Sequence, residues 1–307
     1  DAASQRTNVG EILIMLLRSL MAGLAVMGIV GCAGAQTDDV EAVTYTMADI
    51  DASPESWRAV DPENLVIMET TQGQVVIELL PVAAPAHVEL FKAYIRAGLY
   101  DQTPFHRVIQ GFMAQGGDVA QTHGEDKMLE PLAAEFTFRR DPAIVPVDSI
   151  GPADSADSGF HLGFPITTQP GFLAEMSIDG LVESWIPHCP GVLSTARTDD
   201  VNSGNAQFFL ISDKARHLDY KYTAKGRAIS GLDVIQSIKL GPRPDGFPIA
   251  NPDIVMSVVV AADLPEAERP RAFVQRTDSA EWQTKLDEAD SRRQHACELP
   301  AVPAVIG

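Results

Sequence analysis

Cysteine and basic charge are both scarce in this chain of 307 residues. Its 3 cysteines, Cys32, Cys189 and Cys297, are too few for a disulfide scaffold, and no CxxC spacing offers a zinc site. Lys and Arg number 23 against 42 Asp and Glu, a formal net charge of −19, and no K/R-rich run occurs. That balance excludes nucleic acid or an anionic membrane surface as the principal partner, because both demand basic patches. A GxSxG elbow is also missing, which argues against a hydrolase. The apolar run from Leu20 to Val30 is too short to span a bilayer. What remains is a chain 45% hydrophobic, able to bury a substantial core in one or two domains.

The short apolar run has the size of a signal-peptide core behind Arg18, with Met15 as a start, and residues 1–35 read as an export segment. Two processing signals overlap there. Ile29-Val30-Gly31-Cys32 is similar to a bacterial lipobox with Cys32 lipidated, whereas Ala33-Gly34-Ala35 fits cleavage before Gln36. Either route predicts a periplasmic protein, soluble or anchored by lipid to the outer membrane, in an oxidising compartment. Residues 36–62 are acidic and aperiodic, so they read as a tether whose end Trp57 pins to the domain.

Strand signals dominate the centre of the chain. Leu65–Glu69 and Gln74–Leu80 flank a Gly73 turn as a hairpin, and Pro85 opens a helix through Val88, Phe91, Ile95 and Leu99. Phe105–Ile109 and Phe112–Gln115, joined at Gln110-Gly111, follow; alternation puts Phe105, Arg107 and Ile109 on one face and His106 and Val108 on the other. Residues 119–189 are punctuated by seven prolines, so long regular elements are not expected in this insert. Beyond it, Val192–Ala196, Ala206–Ser212, Tyr222–Ala228 and Ile254–Ala261 read as strands and Leu232–Ile238 as a short helix. The tail, 263–307, is charged; Ser279–Ala296 reads as one amphipathic helix through Trp282, Leu286 and Ala289. Many short strands with few helices predict a mainly β barrel or sandwich.

An arginine between Phe and Met on a strand face is unusual, since strand centres exclude charge unless it is paired or used. The stretch that holds it, FHRVIQGFMAQGGD (105–118), resembles the signature of the cyclophilin-type peptidyl-prolyl isomerases. So do GVLSTARTDDVNSGNAQFFL (191–210) and LDYKYTAKGRAISGLDVI (218–235), in family order. The resemblance covers roughly 63–262 apart from the insert at 119–189. It implies an eight-stranded antiparallel barrel capped by two helices.

It also implies a reaction without cofactor or metal: rotation about Xaa-Pro bonds of unfolded or folding polypeptides. By that resemblance Arg107 is the catalytic donor to the twisted amide, and Phe112, Met113, Phe209 and Leu218 form the proline pocket. Gln115 bonds the substrate backbone, Ala196 and Arg197 form the edge that pairs with the peptide, and Gln207 is a further polar group. His106 is expected to support the site by hydrogen bonding, and His217 to occupy the rim where many members carry Trp. Lys225 stands where the usual YTxFGRV pattern has an apolar residue; its stem is expected to lie along the surface with the charge in water. Gln110 replaces the family's usual Pro.

A binding module that merely holds proline-containing segments is the alternative to an enzyme. A metal protein using His87, His123, His161, His188, Cys189 and His217 finds little ligand spacing in its favour. Once the export segment is processed, Cys189 and Cys297 are the remaining pair, either bridged across the barrel or left as two thiols.

Overall fold

The computed structural model describes residues 44–307. The expectations for the export segment, Cys32 included, lie outside them. Helix α1 (Met47–Ala52) and strand β1 (Trp57–Ala59) open the described chain, so the segment read as a tether is structured from Met47 onward.

The hairpin follows as β2 (Leu65–Thr70) and β3 (Gly73–Leu79), then α2 (Pro85–Arg96), whose Pro85 sits in the first turn where no amide is needed. Next come β4 (Arg107–Ile109) and β5 (Met113–Gly116), joined by a tight turn in which Gly111 takes φ +66°. The insert holds α3 (Val119–His123), β6 (Phe138–Arg140), β7 (Asp148–Ser149), β8 (Ser158–His161), β9 (Phe164–Thr168), α4 (Leu173–Met176) and β10 (Val182–Trp185). The remaining elements are β11 (Val192–Thr195), β12 (Phe208–Ile211), β13 (Ala224–Ser230), α5 (Leu232–Ser237), β14 (Val255–Val260), β15 (Ala272–Gln275), α6 (Ala280–Arg292) and β16 (Ala304–Ile306).

Eight strands form one antiparallel sheet in the order β14-β2-β3-β13-β11-β12-β5-β4. It curls until its edges meet: Pro104 bridges Ile254, and the Phe105 amide donates to the Asp253 carbonyl at 2.9 Å. The concave face encloses Val66, Met68, Val75, Ile77, Leu193, Phe208 and Leu210, closed by Phe91 and Tyr94 of α2 and Ile235 of α5. Phe105 and Val108 also belong to this core, while Ile109 lies against the outer one. The expected sharing of a face by Phe105 and Arg107 is therefore corrected. Regular pleating starts only at Arg107, so alternation cannot be extended back to Phe105.

As its prolines foretell, no element of the insert is longer than five residues, yet the short strands pair. The insert builds a five-stranded antiparallel sheet, β6-β10-β9-β8-β7, from strands two to five residues long. Pro165 sits within β9, where buried Phe164 and Ile166 outweigh its missing donor. Arg140, 5% exposed, ties three of its strands together, donating at 2.9 Å to Ser184 Oγ, Thr168 Oγ1 and the Val145 carbonyl.

Tail and N-terminal segment share a third sheet, β1-β15-β16, with Trp57 opposite Gln275. Trp57 also meets Tyr45 edge-on at 5.1 Å. In α6 the Ser279 side chain caps the Trp282 amide at 3.3 Å, and Trp282, Leu286 and Ala289 are buried against the barrel's outer face. The helix stops at Arg292, short of the expected Ala296, because Arg293 turns to φ +55°. Cys189 and Cys297 are bonded, their Cα atoms 5.0 Å apart and 108 residues apart in sequence.

The bridge closes so long a loop that its removal should be felt. Cys297→Ser is expected to lower unfolding free energy by about 2–4 kcal/mol, and reductant should lower the wild type to the same level. Urea denaturation reads this directly; an unchanged midpoint in the variant would show that the bridge does not constrain the unfolded chain.

Candidate active site

The candidate residues converge on the convex side of the curled sheet. Along β5 and β12 the pleat sends Ala114, Phe208 and Leu210 inward and Met113, Phe209 and Ile211 outward. The outward set, with Leu218 and the insert's Phe138, Phe164, Ile166 and Ile186, forms a second core. A cavity of about 90 Å3 opens in it, lined by Arg107, Phe112, Met113, Gln115, Ala196, Arg197, Phe209, Leu218 and Tyr222.

Arg107 forms one wall, on β4. Its Nε donates to the Asp245 carbonyl at 3.0 Å and its Nη1 to Gln115 Oε1 at 3.2 Å. Gln115, opposite Arg107 on β5, passes the order on: its Nε2 donates to Gln207 Oε1 at 2.9 Å. Because arginine only donates, the Gln115 oxygen must face Arg107, which fixes the amide orientation along the whole relay. The oxygen keeps one lone pair and the nitrogen one proton for a bound peptide.

The apolar walls are equally fixed. Met113 and Phe209 are buried, 2% and 4% exposed, and the Tyr222 ring meets Phe209 edge-on at 5.5 Å. Behind Phe209 the ring of His188 stacks at 6.1 Å, held by Asp219 Oδ1 at 2.9 Å from both its Nδ1 and its own amide. Asp219 follows Leu218 directly, so one hydrogen-bonded pair positions two walls of the cavity. Arg197 lies over the Tyr222 ring at 4.7 Å and the Phe136 ring at 5.8 Å, with its Nε on the Lys221 carbonyl at 2.9 Å.

Several expectations need correction. His106 does not line the cavity; its Nδ1 is buried without a partner and burial depresses its pKa, so that nitrogen gives the site no hydrogen bond. The Ala196 amide is spent within the sheet, donating to the Gln207 carbonyl at 2.8 Å, and is closed to a peptide. Gln207 stands behind Gln115 rather than on the cavity wall. His217 is not part of the cavity lining, but its ring lies 5.3 Å from that of Phe112. The metal candidates are dispersed: His87 pairs with Glu135, His188 with Asp219, while His123 and His161 contact main-chain carbonyls. Among the described residues no group of three or more His, Cys, Asp or Glu side chains gathers as a metal would need.

The family model for cyclophilin-type peptidyl-prolyl cis-trans isomerases matches residues 65–260, well over half of the chain. The chain belongs to the cyclophilin family. A probable peptidyl-prolyl cis-trans isomerase of Brucella suis is 32% identical over 205 residues, 67% of this chain and 86% of that protein. A peptidyl-prolyl cis-trans isomerase of Streptomyces antibioticus is 30% identical, covering 57% of this chain and 82% of that one. Among solved structures, cyclophilin AquaCyp293 from Hirschia baltica superposes with a TM-score of 0.80 at 48% identity, covering 86% of this chain and 98% of its own. The described fold is that of a cyclophilin, and its activity is peptidyl-prolyl cis-trans isomerisation.

Within that cyclophilin frame three residues of the site, Tyr222, His188 and Asp219, escaped sequence reading. Tyr222 lies before β13 begins at Ala224, yet packs against the outer core, so the strand period gave no signal for it. The His188–Asp219 support left none, its members being 31 residues apart. Lys225 is the largest departure from expectation. Instead of reaching water it is 1% exposed, its Nζ 2.8 Å from Thr195 Oγ1 and 4.6 Å from the centre of the Phe91 ring. A bulge explains this: Leu193 pairs with Gly226 and Ser194 with Ala224, so Lys225 is the extra residue and is turned into the barrel.

Burial lowers the Lys225 pKa to about 7. An exposed lysine titrates near 10.4, so between these values the unfolded chain binds more protons and stability climbs with pH. Below about pH 7 the ammonium is charged in both states and the cost of burying it is complete. Lys225→Met should therefore raise the unfolding temperature most at or below neutral pH, with the gain shrinking towards pH ~10. A gain that does not vary with pH would contradict a buried ammonium.

Proposed function

We propose that this cyclophilin isomerises Xaa-Pro bonds of exported polypeptides, with Arg107 stabilising the twisted amide above an apolar proline pocket. The carrying observation is the arginine itself, anchored by Nε and Nη1 on the wall of a cavity whose apolar lining is Phe112, Met113, Phe209, Leu218 and Tyr222, with Gln115, Ala196 and Arg197 completing it.

The barrier to amide rotation is about 18–20 kcal/mol, and it arises from conjugation. Removing it needs no nucleophile. It needs a surface that binds the twisted amide better than either planar isomer. As the C–N bond twists, the prolyl nitrogen regains its lone pair, and a guanidinium N–H placed beside it stabilises that state alone. A guanidinium stays protonated throughout the physiological range, so the donor is always armed. Holding it in advance with neutral acceptors means no reorganisation during the reaction. The pyrrolidine ring rests in the pocket between Phe112, Met113 and Phe209 while the preceding carbonyl turns. Gln115, steadied by Gln207, offers its spare proton to the peptide backbone.

Export supports the choice of substrate. The Cys189–Cys297 bond is lasting only where the surroundings are oxidising. The apolar run behind Arg18 and the lipobox-like Ile29-Val30-Gly31-Cys32 fit delivery to the periplasm, with Cys32 as a lipid anchor to the outer membrane. Thiol alkylation of protein taken from its native compartment should find Cys189 and Cys297 blocked. Two free sulfhydryls there would remove the export reading.

The mechanism is tested on a short Xaa-Pro peptide. Arg107→Ala should lower kcat/KM by about 2–4 kcal/mol of transition-state stabilisation, roughly 30- to 900-fold, with an unchanged circular dichroism spectrum. A folded variant within twofold of wild type would sink the proposed role of Arg107.

A further inference from the structure

A second cavity, of about 170 Å3, lies between the barrel, the insert and the tail. Its walls are apolar: Phe160, Pro165, Val192, Pro300, Val302 and the Cys189–Cys297 bridge. One ionisable side chain faces it, Arg227 of β13. This arginine is 5% exposed, and its Nε and Nη2 are buried without hydrogen-bond partners.

The nearest carboxylate does not meet that need. Glu78 Oε2 stands 3.7 Å from Arg227 Nη2, beyond hydrogen-bond reach. Both Glu78 oxygens are already taken by Arg58, at 2.7 and 2.8 Å. Two guanidinium groups thus share one carboxylate, leaving an excess positive charge in an apolar enclosure. The Phe164 ring, 5.1 Å from the Arg227 guanidinium, offsets part of this through its π face. Burial depresses the Arg227 pKa to about 10, so the charge remains at neutral pH. Gly163 keeps the place open, since a Cβ there would come within 2.8 Å of Arg227 Nη2.

A buried cation that only shares a distant carboxylate is costly, and a buried water would supply an oxygen but no charge. A carboxylate supplies both, in the planar two-oxygen form that matches a guanidinium edge. The apolar walls ask for an apolar body behind it, and the volume limits that body to a short chain or a single ring. We propose that this cavity is a binding site for a small apolar carboxylate, its two oxygens on Arg227 and its hydrocarbon part against Phe160, Val192 and Val302.

Thermal unfolding of the whole protein at constant ionic strength tests this with sodium butyrate and sodium benzoate against butyramide and benzamide. A carboxylate should raise the unfolding temperature saturably, by about 2–5 °C, and its neutral amide should not. Arg227→Met should abolish the response. If that variant does not fold, Ala301→Trp closes the exposed rim with Arg227 intact and should abolish it too. Equal responses to acid and amide, no response to either acid, or a response that survives Ala301→Trp or a folded Arg227→Met would each overturn the proposal.

Discussion

Five strands of the barrel wall, β2, β3, β5, β11 and β12, carry two apolar faces, and both must be hidden from water. In β2, Val66 and Met68 point into the barrel while Leu65 and Ile67 point out; in β12, Phe208 and Leu210 point in while Phe209 and Ile211 point out. At roughly 25 cal/mol per Å2 of apolar surface, leaving the outer set exposed would forfeit much of what the inner set contributes. The insert and the tail cover it. The insert lays Phe164, Ile166 and Ile186 over β12, and α6 lays Trp282 and Leu286 over β2 and β3. The cavity of the candidate site belongs to this outer layer; its lining comes from the barrel strands and their loops, and the insert backs it through Phe136 and His188.

This arrangement gives the long insert a physical role. Phe136 lies against Arg197, Trp185 stacks on Tyr220 at 4.2 Å, and His188 backs Phe209. A ring against Phe209 and a carboxylate beside Leu218 come from one His188–Asp219 pair that is nearly out of contact with solvent. The disulfide begins at the next residue. Covalent closure of the tail therefore acts on the layer that shapes the pocket, while the inner core of Phe91, Phe105 and Phe208 stands on its own contacts.

How much of this could be read from the sequence follows from range. The hairpin, α2, β11 to β14 and the motif residues around Arg107 were legible, because each rests on local periodicity or a local motif. The uninterrupted apolar runs at 65–68 and 208–211 already signalled two buried faces. What escaped depends on distant partners. β1 is three residues long, shows no period, and exists because β15 lies beside it more than two hundred residues later. The insert's sheet survives its prolines through tertiary burial of Phe164 and Ile166. Lys225 escaped for a subtler reason: a single bulge changes which face a residue occupies, and no composition rule announces one.

Several cations of the scaffold are matched to carboxylates. Arg58 is matched to Glu78, Arg96 to Glu63 and Asp263, and Arg139 to Asp179. Arg107 is not, and neither are Arg140 and Arg197, whose donors go to hydroxyls and main-chain carbonyls. In a chain with 42 acidic residues, the hydrogen bonds of Arg107 go to a main-chain carbonyl and a side-chain amide, and among the described residues no carboxylate reaches it at ion-pair distance. Neutral acceptors fix the guanidinium without cancelling its field. A carboxylate in the same place would hold it as firmly but would compete with the prolyl nitrogen for the positive charge as the amide twists. Arg107 thus keeps its charge uncancelled on the cavity wall, which is the condition the proposed stabilisation of a twisted amide sets.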